Sequence, residues 1–241
     1  MRFEAWEPEY RRILQEFGFS RSQDEESAEE LRHLLEGLPL RLEGAYAEDA
    51  LSRRLRGKDA LLVGMGPGLL PLPVPSPWLP RGDWVVIAAD GATSACLEWG
   101  TLPAVIVTDL DGKVEDEVKA SAQGSLVIVH AHGDNRPALR TWVPHFRGPV
   151  IGSCAGLPGR GLLNPGGFTD GDRALFIAEE FGARRALLAA YDFVHPSREP
   201  AATRPIKRRK LATARRLVDS VARRGRLRVE LLTSDLKVRP W

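Results

Sequence analysis

The sequence predicts an α/β fold: a doubly wound, mostly parallel sheet preceded by an N-terminal helical region. Three observations carry this. From Lys58 onward, short runs rich in Val and Ile recur without polar alternation, as in strands buried on both faces. Segments of helical periodicity separate most of these runs, and strand–helix alternation implies right-handed crossovers in one sheet. Before Lys58 the apolar spacing is helical throughout.

Trp6, Tyr10, Ile13, Leu14 and Phe17 share one face of a first helix, with Gly18 at its end. Ser20 and Gln23 fit a capping box for a second, whose stripe runs through Ala28, Leu31, Leu34, Leu35 and Leu38. A third is expected from Glu48 to Arg56. Residues 1–57 therefore read as a helical region and 58–241 as an α/β catalytic domain. Strands are expected at Ala60–Gly64, Trp84–Ala89, Ala104–Thr108, Leu126–His130, Pro149–Gly152, Ala186–Ala190 and Leu227–Thr233. Helices are expected at Ala92–Trp99, Val114–Ala122, Arg136–His145, Gly171–Phe181 and Ile206–Val221. The stretch from Pro67 to Pro80 carries too many prolines for a regular helix and reads as a loop.

The 241 residues are 43% hydrophobic and 27% charged, enough for a sizeable core. No apolar run reaches the length of a membrane span, and the first residues carry early acids in place of a signal peptide's apolar segment. Two distant cysteines, Cys96 and Cys154, read as buried free thiols. A cytoplasmic location without membrane attachment is expected. The net charge of +2 hides an acidic stretch, Asp24 to Glu30, and a basic one, Lys207 to Arg224. Each reads as a solvated helix face. No nucleic-acid motif accompanies the basic stretch, so a nucleic-acid partner is not expected.

In open α/β sheets, ligands bind beyond the carboxyl ends of the strands. After the first expected strand comes Gly64-Met65-Gly66-Pro67-Gly68. Gly64, Gly66 and Gly68 suit either a nucleotide contact or a simple tight loop. Asp90 follows the second strand; Asp109 and Asp111, separated by one residue, follow the third. Such carboxylates suit hard Mg²⁺, although Asp and Gly also make caps and turns. Their recurrence on successive strand ends favours the metal. After the fourth strand comes His130-Ala131-His132-Gly133-Asp134-Asn135. The histidines could bind zinc, but the carboxylate neighbours favour Mg²⁺, with Asp134 as a further ligand and His130 and His132 as phosphate or substrate contacts. A turn with a helix cap is the alternative. The segment Asn164 to Arg173 reads as an N-cap at Thr169 or Asp170, or as a glycine-rich loop for a phosphate or heterocycle. Asp192 is a heterocycle acceptor or a turn residue.

Four of these segments, Ala89-Asp90-Gly91-Ala92, Thr108-Asp109-Leu110-Asp111-Gly112, His130 to Asn135 and Gly167-Phe168-Thr169-Asp170-Gly171-Asp172-Arg173-Ala174, resemble the archaeal 6-hydroxymethyl-7,8-dihydropterin diphosphokinases. Trp6-Glu7-Pro8, Phe17-Gly18-Phe19-Ser20 and Lys207 to Leu211 fit the same family. Those enzymes are distant relatives of thiamine pyrophosphokinase, which shares the Asp-Gly and Asp-x-Asp elements but usually differs at the fourth strand. The resemblance spans nearly the whole chain and implies a thiamine pyrophosphokinase-like, Rossmann-like core. It also implies transfer of diphosphate from ATP to the pterin hydroxymethyl group, releasing AMP.

On that resemblance Asp109 and Asp111 hold Mg²⁺ bridging the ATP phosphates. Asp90 and Asp134 complete the acidic cluster, and Asp109, Asp111 and Asp134 carry the catalysis. Lys207 and Lys210 add positive charge, or merely form a solvated face. Asn135, Thr169 and Asp172 are candidates for substrate recognition. The N-terminal helices could form a homodimer interface or a lid. Two rival readings are a metal-dependent sugar-nucleotide transferase and a non-enzymatic nucleotide- or RNA-binding module.

Overall fold

Residues 3–66, 83–196 and 202–241 are described by a computed structural model; Gly68 and the loop expected from Pro67 to Pro80 lie outside them. The central strands are β1 (Asp59–Val63), β2 (Trp84–Ala89), β3 (Val105–Thr108), β4 (Leu126–Ala131), β5 (Val150–Cys154), β7 (Arg185–Ala189) and β8 (Arg228–Leu232). Two short strands, β6 (Leu162–Leu163) and β9 (Val238–Pro240), lie at the edges. The order is β6-β5-β4-β3-β2-β1-β7-β8-β9, parallel throughout except for the antiparallel pairing of β8 with β9. Strand order runs outward from β1 in both directions, so it reverses between β1 and β7. The inner strands are buried along their length, which explains their continuous apolar runs.

Eight α-helices are described: α1 (Phe3–Phe17), α2 (Arg21–Glu36), α3 (Gly44–Leu55), α4 (Ala92–Glu98), α5 (Val114–Ala122), α6 (Arg136–Trp142), α7 (Asp170–Glu180) and α8 (Arg204–Arg224). Alternate strand residues meet different helix layers. Leu62, Ile87, Val107 and Ile128 join a core with Tyr10 of α1, Leu51 of α3, Phe176 of α7 and Leu217 of α8. Leu61, Val86 and Ala88 meet Ala92 and Cys96 of α4. Ile106, Val127 and Val129 meet Leu31 of α2, Val114 of α5 and Leu139 of α6. The sheet is thus doubly wound, and the N-terminal helices pack into both layers. Complete burial of Leu31 and Leu51 contributes about 1.5–3 kcal/mol for each side chain.

At the start of α2, Ser20 Oγ accepts from Gln23 N at 3.5 Å, the N-cap half of the expected capping box. Parts of the acidic and basic stretches are paired across elements. Glu30 meets Arg136 and Arg140 of α6, while Arg216 of α8 meets Glu9 and Glu16 of α1. Both cysteines are buried and free. No described helix is long and apolar enough to cross a membrane.

Candidate active site

The carboxyl ends of β2 and β3 bring three acids together. Asp90 leaves β2 with φ +46°, and Leu110 follows β3 with φ +68°. Both are left-handed conformations that cost a non-glycine residue roughly 1–3 kcal/mol where the surroundings enforce them. Here the surroundings do so. Leu110 is 3% exposed among the residues packed with α2 and α5, and its N–H donates to Thr108 Oγ1 at 2.9 Å. Thr108 Oγ1 in turn donates to Asp90 Oδ1 at 3.0 Å. With the backbone turned at Leu110, one oxygen from each of Asp90, Asp109 and Asp111 lies within 4.8 Å of the others.

The electrostatics of this group are those of crowded like charges. Desolvation, then the charges of Asp109 and Asp90, push the Asp111 carboxyl up to about 7. Asp109 is raised by burial, but a hydrogen bond and charge from His132, aided by Lys210, bring it below its ordinary value. Two further carboxyls stand close by. Asp170, the first residue of α7, is pushed well above the carboxylate range by burial and then by Asp109, Asp90 and Asp111. Glu117 of α5 is raised by burial and then by Asp90; it is fully buried and neither of its oxygens has a hydrogen-bond partner. Asp109 Oδ1 is also buried without a partner. Three converging carboxylates with an orphaned oxygen and mutual repulsion fit a hard divalent cation.

The β4 exit braces this group. His132 Nε2 lies 3.2 Å from Asp109 Oδ2, and its Nδ1 lies 2.8 Å from Asp134 Oδ1. Burial pulls the His132 pKa down, but the two carboxylates outweigh it and hold it above the ordinary value. Asp134 itself is 93% exposed in its side chain and stands outside the three-carboxylate group. Asn135 is buried; its amide donates to Asp109 O and His130 O, and its Oδ1 accepts from His132 N. His130 is buried between Ser153, 3.3 Å from Nδ1, and Arg173, 3.0 Å from Nε2. Burial and the Arg173 charge hold it well below the ordinary histidine value. Gly133 N donates to Asp24 Oδ1 at 2.8 Å, and Tyr10 OH donates to the other Asp24 oxygen. This tether from α1 and α2 to the loop after β4 had no local signal in the sequence.

The loop before α7 is held from beneath. Arg173 is fully buried and donates to the carbonyls of Gly166 (3.1 Å) and Gly167 (2.8 Å). Asp172 accepts from Phe168 N and Thr169 N, and Thr169 Oγ1 donates to it at 2.9 Å. Burial pushes the Asp172 carboxyl up to about 6. Thr169 and Asp172 are therefore engaged with one another. Across the loop, α8 brings Lys210 into the field of Asp109 and Lys207 into that of Asp111. At the switch point, Gly64 N and Gly66 N donate to Ala189 O and Ala190 O. A Cβ on Gly66 would stand 2.5 Å from Ala190 O, so close passage of the two strand exits accounts for that glycine. Asp192 caps the next turn, accepting from Val194 N and His195 N. Asp170 and Glu117 were not legible as part of the acidic group. The first reads locally as a helix cap and the second as one acid among several in α5.

Fold and strand-end geometry define the class: a doubly wound α/β protein with clustered carboxylates and facing lysines beyond its parallel strands. Residues 33–197 match the family described as 6-hydroxymethylpterin diphosphokinase MptE-like, and this chain belongs to that family and is an enzyme of its type. It is 43% identical to a 6-hydroxymethyl-7,8-dihydropterin pyrophosphokinase of Methanothermobacter thermautotrophicus, over 95% of this chain and 99% of the relative. It is 41% identical to a protein of the same name from Pyrococcus furiosus, over 80% and 79% of the two chains. A third, from Methanocaldococcus jannaschii, is 35% identical over 80% of each.

Proposed function

We propose that this enzyme transfers diphosphate from ATP to the hydroxymethyl group of 6-hydroxymethyl-7,8-dihydropterin, with Mg²⁺ as its cation, releasing AMP. The product would serve pterin cofactor biosynthesis, toward tetrahydrofolate or methanopterin. The observation that carries the reading is the convergence of Asp90, Asp109 and Asp111 in a chain whose relatives bear the pyrophosphokinase name.

The substrate hydroxyl oxygen bonds to the β-phosphorus. The bond from that phosphorus to the bridging oxygen of AMP breaks, AMP leaves with that electron pair, and the hydroxyl proton passes to solvent. Such transfers ask the protein for positioning and charge stabilisation more than for covalent work. Asp90, Asp109 and Asp111 would hold the cation, which when bound neutralises charge on the phosphates. His132, with Asp134 on its other nitrogen, keeps the Asp109 carboxylate in place. Lys207 and Lys210 face the cluster from α8 and offset phosphate charge. Asp170, at the N-terminus of α7 and within the field of all three aspartates, would orient the substrate hydroxyl.

The test is to incubate the protein with Mg²⁺-ATP and 6-hydroxymethyl-7,8-dihydropterin, with thiamine in a parallel reaction, and identify the products. AMP together with the pterin diphosphate supports the reading. Formation of ADP, preference for thiamine, or consumption of a nucleotide sugar in place of ATP overturns it.

A further inference from the structure

The geometry points to a heterocycle-stacking subsite built by Phe17, Phe19 and Phe168 beside the carboxylate cluster, taking the planar ring of the acceptor alcohol and not the nucleotide base. This rests on the diphosphokinase reading for the identity of the ring. Phe17 ends α1, and Gly18, at φ +71°, turns the chain so that Phe19 stacks on Phe17 with centroids 5.6 Å apart and planes 23° apart. Phe168, from the loop before α7, completes the group at 4.9 Å from Phe17 and 6.3 Å from Phe19.

Ordinary packing accounts for two of the three rings. Phe17 and Phe168 lie against the main core, and Phe19 does not; it remains 45% exposed. The cluster is also ringed by cations. The Arg209 guanidinium lies over Phe17 at 5.0 Å, and Lys210 Nζ is 5.9 Å from the Phe168 centroid. Phe19 is thus an exposed ring packed against two neighbours whose own faces carry cations, and such a ring is a surface on which a flat heterocycle stacks, with or without sequence-specific hydrogen bonds.

Proximity selects the occupant. Lys210 serves both neighbourhoods, lying over Phe168 while its charge bears on Asp109. Phe168 is two residues from Asp170, whose carboxyl feels all three clustered aspartates. In the acceptor a single methylene separates the reacting hydroxyl from the ring, so its ring must lie directly against the acidic site. In ATP a ribose and the α-phosphate separate adenine from the reacting phosphorus, and the base can lie far away. A ring platform that shares a lysine with the carboxylates suits the acceptor.

The experiment compares Phe19→Ala, Phe19→Leu and Phe19→Tyr by steady-state kinetics with each substrate varied, and by circular dichroism for folding. Loss of the ring is expected to raise KM for the pterin about tenfold in the Ala and Leu variants. KM for ATP should stay within about twofold, and the Tyr variant should restore wild-type behaviour. Leucine keeps the apolar bulk, so it separates stacking from packing. An unchanged pterin KM, or a rise in KM for ATP alone, overturns the subsite. If the wild type shows no turnover, the activity fails separately. The subsite is then read by titrating 6-hydroxymethyl-7,8-dihydropterin into protein without ATP. Binding that weakens in Phe19→Ala and recovers in Phe19→Tyr supports the subsite; absent binding, or binding equal in all forms, overturns it.

Discussion

The Asp90 carboxylate occupies the space in which a side chain on Gly112 would begin. Gly112 N donates to Asp90 Oδ1 at 3.2 Å, and a Cβ built on Gly112 would stand 2.4 Å from Asp90 Oδ2. Asp90 is short and already held by Thr108 Oγ1, so it has little room to yield except by leaving the cluster. Gly112→Ala should therefore weaken Mg²⁺ binding and lower turnover about 100-fold, the scale of a one-ångström misplacement. Because Gly112 is exposed, the thermal midpoint should hardly move. Calorimetric Mg²⁺ titration and a melting curve check both halves; wild-type turnover would mean that Asp90 is dispensable.

Asp111 sets function against stability. Without a cation its charge is held next to Asp109 and Asp90, which with desolvation lift its carboxyl to about 7. An acid raised in the folded state destabilises the fold above that pKa, and the penalty disappears below the unfolded value near 4. Asp111 is exposed, so solvent screens most of that penalty; Asp111→Asn should thus raise the Mg²⁺-free melting temperature by only about 2–4 °C above pH 8, for roughly 1 kcal/mol. The gain should shrink as pH falls through 7 and vanish near pH 4. Turnover should drop by orders of magnitude at every pH. Melting curves in a chelator across that range, beside rate measurements, would refute the assignment if the variant melted lower throughout.

Asp59, at the opposite end of the sheet, carries the reverse sign. Its fully buried side chain meets Arg184 at 2.8 Å and Arg185 at 2.8 Å. Burial raises its pKa, but the two guanidinium groups outweigh that and bring it below the ordinary value. Stability from such a group is present above the unfolded pKa near 4 and is lost as pH falls through the lower folded value. Asp59→Asn should cost about 3 kcal/mol at pH 7, as expected for a broken buried pair. The difference from wild type should narrow below pH 4. Urea unfolding at pH 7 and pH 3 measures it.

The sheet was legible because its inner strands are buried on both faces, so Leu61-Leu62-Val63 or Val127-Ile128-Val129 could be nothing but apolar. Strands β6 and β9 were not, since two or three residues carry no pattern and pairing alone defines them. The three aspartates showed themselves because adjacent parallel strands end at the same level, so local motifs become neighbours. His130 reads as a contact for phosphate, yet it lies between Ser153 and Arg173, residues 23 and 43 positions away. Nothing local distinguishes this buried histidine at the end of a strand from His132, half-buried against the carboxylates two residues on. Asp24 and Asp170 were hidden for the same reason: their partners come from distant elements.

Arg173 offers the most direct test of that hidden framework. It is a fully buried guanidinium whose donors meet two loop carbonyls and His130 Nε2, while its own Nε has no partner. Burial lowers its pKa from the ordinary arginine value. Lysine keeps the charge but has one nitrogen in place of a planar fork, so it cannot reach all three acceptors. Each buried acceptor left unpaired costs about 1–3 kcal/mol. Arg173→Lys should therefore destabilise the protein by roughly 3 kcal/mol, lowering the melting temperature by about 6–12 °C. It should also loosen the Gly166–Thr169 loop, seen as faster amide exchange at Phe168 and Thr169 than in α1. A variant that melts like the wild type and protects those amides equally would show that the loop holds its shape without the fork.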